Sequence, residues 1–220
     1  MRLNRAAPLS GIAFVVFFIA SVVVSSVPKS SASDRDWLAA YATHAKQAGH
    51  LATGILLVLA ALSLLVFLTH LWTRVLATGR LEAVSPLPLV AAGVSAACIA
   101  IGGVLMGSIG GSTLIGNAPL PGPDLLRLGN DAGFAMVGLA GMLAASVSVA
   151  AVSVQARSAG LFGQRLFRFS MLVAVLLLAS FAFVPILGLL IWLVAVAVTL
   201  LRDSPALRRD GALLAARETA

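Results

Sequence analysis

The chain has 220 residues, 60% of them hydrophobic and 10% charged, against about half apolar and a quarter charged in an ordinary soluble domain, and such an excess needs lipid as solvent. Fifteen Lys and Arg against eight Asp and Glu leave a net charge of +7, but the basic residues flank apolar segments and form no patch interleaved with aromatics, so a nucleic-acid partner is excluded. The one cysteine, Cys98, lies inside an apolar run, which rules out an intramolecular disulfide framework and reads as core filler.

Crossing ~30 Å of hydrocarbon takes about 20 apolar residues as a helix. The first such stretch is 9–27, after a basic start with Arg2 and Arg5. Its apolar region is longer than the ~7–15 residues of a secretory signal and no A-x-A-like site follows, so it reads as a retained anchor. The connection over 28–49 carries Ser33 three positions before Asp36, a helix-start pattern, and Trp37, Leu38, Tyr41 and Ala45 recur at helical spacing. This predicts a short helix lying on the membrane with Trp37 and Tyr41 at headgroup level.

The second crossing, 51–69, is bracketed by His50 and His70. Their 20-residue spacing corresponds to ~30 Å along a helix and nearly opposite faces, so they cannot share one metal ion or form a bis-histidine haem site. They read as boundary residues anchored among headgroups. His44, His50 and Asp131 are weak candidates for a metal site on the outer face, since imidazole and carboxylate suit several divalent ions, although no spacing motif joins them.

The third crossing, 87–108, ends near Gly103, Gly107 and Gly111, and the fourth, 132–154, repeats the four-residue spacing with Ala140, Ala144 and Ser148. Small residues so spaced let helix backbones approach closely in lipid, so both sets are expected at helix contacts. The glycine- and serine-rich run 107–113 is no phosphate loop: it lacks the lysine and follows a membrane helix rather than a strand. Asn130 and Asp131, placed directly before the fourth crossing, are expected to cap it.

A final uncharged block, 169–201, has 33 residues, ~50 Å as one helix, too long for one comfortable crossing. Pro185 divides it into 169–184 and 185–201, a tight helical hairpin with its turn at 183–188. The expectation is then an all-α polytopic bundle with six crossings and a basic cytoplasmic tail over 202–220. Six crossings with the amino terminus inside put eleven basic residues on the cytoplasmic side and four, Lys29, Arg35, Lys46 and Arg127, outside. Five crossings would erase that bias.

The arrangement resembles a group of small, functionally uncharacterised six-helix membrane proteins of high-GC Gram-positive bacteria. The resemblance rests on the run from Leu9 to Val15 after the basic start, on Ala40 to His44, on Asn130 to Phe134, and on the closing run from Ile191 to Val198. It implies six crossings of a bacterial plasma membrane with both termini cytoplasmic, and it carries no activity.

The apolar stretches hold no ionisable residue, which disfavours ion-coupled transport through a buried carboxylate. No nucleophile with His and Asp partners, zinc-protease pattern or cysteine cluster is present. No catalytic residue and no cofactor is assigned. The expected role is a structural or accessory bundle that binds lipid, a membrane-protein partner or a second copy of itself. The alternative is a permeation unit for an uncharged or lipophilic small molecule. Third comes a membrane-surface enzyme built on His44, His50 and Asp131.

Overall fold

The computed structural model describes residues 7–80, 85–179 and 184–202. The basic start, Phe183 of the expected turn and the tail from 203 onward lie outside the described residues. Among the described residues there is no strand, and the helices are α1 (Leu9–Val24), α2 (Asp34–Ala40), α3 (His44–Ala77), α4 (Leu87–Leu114), α5 (Pro123–Phe134), a π-helical segment (Ala135–Gly141), α6 (Met142–Ser158), α7 (Gln164–Leu177) and α8 (Val184–Arg202). The π segment joins α5 and α6 without a break. Four stretches are long and apolar enough to cross a membrane: His44–Leu76, Leu87–Leu114, Pro123–Ser158 and Pro185–Arg202. α1 is equally apolar but, with 16 residues, only ~24 Å long.

Neighbouring legs run antiparallel. Gly11 of α1 lies against Phe67 of α3, whereas Gly49 at the start of α3 lies against Val24. Gly54 meets Gly103 and Gly107, and Gly110 meets Gln47, which sets α4 against α3. Gly102 meets Gly133, and at the other end the Ser148 hydroxyl donates to the Pro88 carbonyl at 2.8 Å. Ser146 donates to the Ala174 carbonyl at 2.7 Å, bringing α7 beside α6. In the α7–α8 hairpin, Trp192 Nε1 donates to Ser170 Oγ at 2.8 Å and Gly188 lies against Val173. Contact between α8 and α1 closes the ring.

The ring's interior holds Phe14, Leu64, Phe67, Leu71, Val152 and Trp192, all fully buried, with Phe67 and Trp192 edge to face at 6.2 Å. The outer surface is apolar too: Val16, Leu62, Val90, Ile101, Val175 and Ile191 are exposed on successive legs. In water such a continuous belt would drive association, whereas among acyl chains it is ordinary surface.

Several boundaries differ from those expected. α3 begins at His44 rather than near 51, because Thr43 Oγ1 accepts the Lys46 N–H and starts the helix before the apolar run. The fourth leg starts at Pro123, not near 132. Proline suits a first helical position, where its missing N–H is not needed. Asp131 is therefore mid-helix and caps nothing, a correction to the expected role. Pro185 stands likewise in the first turn of α8, and residues 184–188 are helical. The expected turn therefore does not stand over 184–188, and Phe183 lies outside the described residues.

Glycine placement sets the α3–α4 distance. A methyl group on Gly54 would lie 2.6 Å from the Gly103 carbonyl oxygen and 2.9 Å from the Gly107 Cα, both rigid backbone. Gly93, on the same helix as Gly103, has open space where a methyl group would stand. Gly54→Ala should therefore destabilise the protein by roughly 1–3 kcal/mol, while Gly93→Ala should be neutral or stabilising by about 0.5–1 kcal/mol. Thermal unfolding of the two variants in one detergent checks this; equal midpoints would dissociate the glycines from helix spacing.

Candidate functional site

One end of the bundle is covered by a strap formed by residues 25–43. The Ser33 start forms as the sequence indicates: its hydroxyl accepts the Asp36 N–H at 3.3 Å, and the Asp36 carboxylate accepts the Ser33 N–H at 3.2 Å. The resulting helix α2 does not lie open among headgroups. Trp37 is 0% exposed and Tyr41 2%, packed with Ala40 and with Leu126 of α5. This overturns the headgroup-anchor expectation, and the reason is the early start of α5, which supplies an apolar wall for α2 to settle on.

Polar bonds hold the strap at its edges. Arg127 of α5 pairs with Asp34 at 2.6 Å, donates to the Ala32 carbonyl at 3.0 Å and reaches Asp124 at 3.3 Å. Its guanidinium carbon stands 6.0 Å from the Trp37 ring centroid, within cation–π range. Lys46 donates to the Ala39 carbonyl at 2.6 Å and Gln47 to the Tyr41 carbonyl at 2.9 Å. Arg127, Asp34 and Leu126 were not singled out from sequence, because nothing in a linear pattern joins the strap to residues about ninety positions away.

The three weak metal candidates are placed differently from one another. His44 is the exposed first residue of α3. His50 is 2% exposed, its ring stacked face to face on Tyr41 at 3.8 Å, with Nε2 3.2 Å from the Ala40 carbonyl. Asp131 is exposed and accepts from Ser30 Oγ at 3.2 Å. Among the described residues no group of three His, Cys, Asp or Glu side chains stands close enough to hold a metal ion. His70 is also buried, at 9% exposure, so neither histidine bracketing the second crossing is a headgroup anchor.

The expected packing residues also divide. Gly103 and Gly107 face Gly54, whereas Gly111 touches only the side-chain end of Leu51. Gly110, not singled out, lies closer: a methyl group there would be 2.6 Å from the Gln47 carbonyl oxygen. Ser148 is fully buried, but Ala140 and Ala144 are half-buried. The π segment widens the helical turn, so a four-residue spacing through 140 no longer traces one face.

Below the strap, the ring leaves space. A cavity of about 330 Å³ lies between α1, α3, α4 and the π segment, walled by Phe18, Leu57, Met106 and Val137. Ser21, Ser25 and Thr53 bring polar groups to it. Ser21 Oγ donates to the Phe18 carbonyl at 2.7 Å and Thr53 Oγ1 to the Gly49 carbonyl at 3.0 Å. A second slot of about 350 Å³ runs between α1 and α8, from Ile19 and Val23 to Ile186 and Leu190. Phe18 and Val22 line both. The two spaces flank one stripe of α1.

The opposite end is tied by cations on carbonyls. Arg80 donates to Ala159 at 3.3 Å, Arg157 to Phe162 at 3.1 Å, and both Gln155 and Trp72 to Ser85 at 3.0 and 3.4 Å. Gly160, at φ +77°, turns the chain after α6 and lets Leu161 N–H return to the Ala156 carbonyl at 2.8 Å.

No family model, curated protein or solved structure matches this chain.

Burial raises the Tyr41 phenol to about 12 from 10.0. The folded state then keeps the proton that the unfolded chain releases, so this contribution to stability is complete below pH ~10 and declines as pH rises from ~10 to ~12. Tyr41 is the one tyrosine in the chain, so phenolate absorbance in a pH titration reports it alone. The expected midpoint is about 12 in the native protein, falling toward 10 once Arg127→Ala loosens the strap. A native midpoint near 10 would contradict the buried placement.

Proposed function

We propose that this chain is a multi-pass bacterial plasma-membrane protein that crosses six times, keeps both termini in the cytoplasm, and acts without catalysis as a structural or accessory bundle binding lipid or a membrane-protein partner. The supporting observation is the distribution of polarity across the ring. Apolar side chains face outward on every leg, while Ser146, Ser148 and the Trp192 indole bond between helices, to Ala174, Pro88 and Ser170, and the buried Ser95 and Ser153 hydroxyls have no hydrogen-bond partner among the described residues. Such an interior holds helices together, and two mostly apolar open spaces lie beside α1. The sequence adds a charge bias: the connections at the Arg80 and Arg157 end carry the basic excess, the cytoplasmic pattern. The resemblance to the six-helix group agrees with this reading.

Six crossings give α1 and α7 a share in spanning despite their length. α7 has 14 residues, ~21 Å, and is lengthened toward the reversal by Leu178 and Ala179. Arg165 and Arg168 in its first turns reach headgroups from below, as flanking cations do for short spans.

The orientation is tested with an impermeant thiol reagent on intact cells, in a Cys98→Ser background. Arg35→Cys, on the exposed side of the strap, should label, and Asp210→Cys should label only after the membrane is opened. Labelling at 210 in intact cells would place the tail outside and overturn the reading.

A further inference from the structure

We infer that the two spaces flanking Phe18 and Val22 form one binding site for a phospholipid of the strap-side leaflet, with an acyl chain in the slot and a hydrogen-bond-donating headgroup beside the end of α1. The inference rests on the membrane-bundle reading above and names the ligand of that bundle.

The site arises from unequal leg lengths. α7 ends three residues after Ala174, which bonds Ser146, whereas the neighbouring leg continues through the π segment and α5 to Pro123. α7 contributes nothing to the walls of the upper cavity, and α8 reaches only the lower slot. The hairpin thus leaves its neighbours uncovered toward the strap, and α1 bridges the gap with an incomplete seal. At about 330 and 350 Å³ each space has the size of a ligand pocket, ~300–1,000 Å³. Thr53 and Leu57 belong to an uninterrupted apolar run of α3, so the medium beside the opening is hydrocarbon.

Polarity along the site fixes the ligand's orientation. The lower slot, from Phe18 to Leu190, is walled by apolar side chains. At the strap side α1 stops at Val24, with Ser25 extended, so the Ser21 carbonyl keeps the Ser25 N–H at 3.1 Å and the carbonyls after it have no helical partner. Ser21, Ser25 and Thr53 line the cavity beside this helix end, and the Ser21 carbonyl also draws Thr53 Oγ1 at 3.5 Å. Carbonyl acceptors at a helix end beside an apolar slot select an amphiphile whose head donates hydrogen bonds. Phosphatidylethanolamine has such a head; phosphatidylcholine has the same charges and no donor.

The test uses the full chain purified in detergent, exchanged separately into dioleoyl phosphatidylethanolamine and dioleoyl phosphatidylcholine, with retained lipid read by native mass spectrometry. Wild type should retain ethanolamine lipid at least about fivefold over choline lipid, roughly one kcal/mol of selectivity. Val22 is 59% exposed and lines both spaces, so Val22→Trp should fill them and lower retention to a similar degree. Val16→Trp, at a 56% exposed position on the same helix outside both spaces, should not. Where Val22→Trp unfolds, Leu187→Trp fills the slot from α8 and is read in the same way. No retained lipid in wild type, equal retention in the folded filling variant, or equal retention of the two headgroups would each overturn the proposal. The cysteine labelling above is independent of lipid, so a protected tail with no lipid retained sinks this site and leaves the bundle reading standing.

Discussion

The close approach of α3 and α4 at Gly54, Gly103 and Gly107 sets the rest of the structure. Between apolar helices in lipid the hydrophobic effect offers little, because acyl chains solvate leucine as well as another helix does. Association then depends on dispersion and on how near two backbones can come. Here carbonyl oxygens and Cα atoms of the two helices occupy the space where side chains would otherwise stand. With that pair fixed, the opposite side of α4 presents Gly102 to Gly133 and draws in the fourth leg by the same means. α1 packs onto the outer course of α3 through Gly11 and Phe67.

The second constraint is polar satisfaction. A helix end that stops within hydrocarbon leaves carbonyls that lipid cannot bond, and this chain meets the problem differently at its two ends. At the Arg80 end, arginine, glutamine and tryptophan side chains reach across to terminal carbonyls of neighbouring connections. At the strap end, a whole segment folds over the bundle and brings its own carbonyls to Lys46, Gln47 and Arg127. The apolar underside of that segment, Trp37 and Tyr41, packs on Leu126.

The helical legs and the Ser33 helix start were legible in the sequence because each depends on neighbours within a turn or two. The fate of Trp37 and Tyr41 was not. An apolar face on a short helix reads identically whether headgroups or protein will cover it, and the protein surface came from α5, whose polar composition hid it from a search for apolar runs. The same blindness placed the helix start at Asp131: hydropathy marks where lipid contact begins, and Pro123 marks where the helix begins. Gly103 and Gly107 were visible by spacing, but Gly54, their partner, has no small residue four positions to either side on α3 and shows its role only in the pair. Ala140 and Ala144 had the right spacing but Ala140 lies within the π segment and Ala144 just after it, where the wider turn changes the phase on which the spacing argument depends.

That π turn also bears on why open space survives beneath the strap. A π segment rotates the residues after it relative to those before, so one leg can present Gly133 and Val137 to α4 and, further on, Ser146 and Val149 to the hairpin and core. The leg thereby packs on α4 along its first part and on both α4 and α7 along its second. A regular helix would hold one face throughout and force the short hairpin either to lengthen or to lose its contact with α6. The rotation keeps both contacts, and Phe18, Leu57, Met106 and Val137 wall the space left beside the π segment. The cavity thus lies where α1, α3, α4 and the π segment meet, on the side of the bundle to which α7 adds no wall.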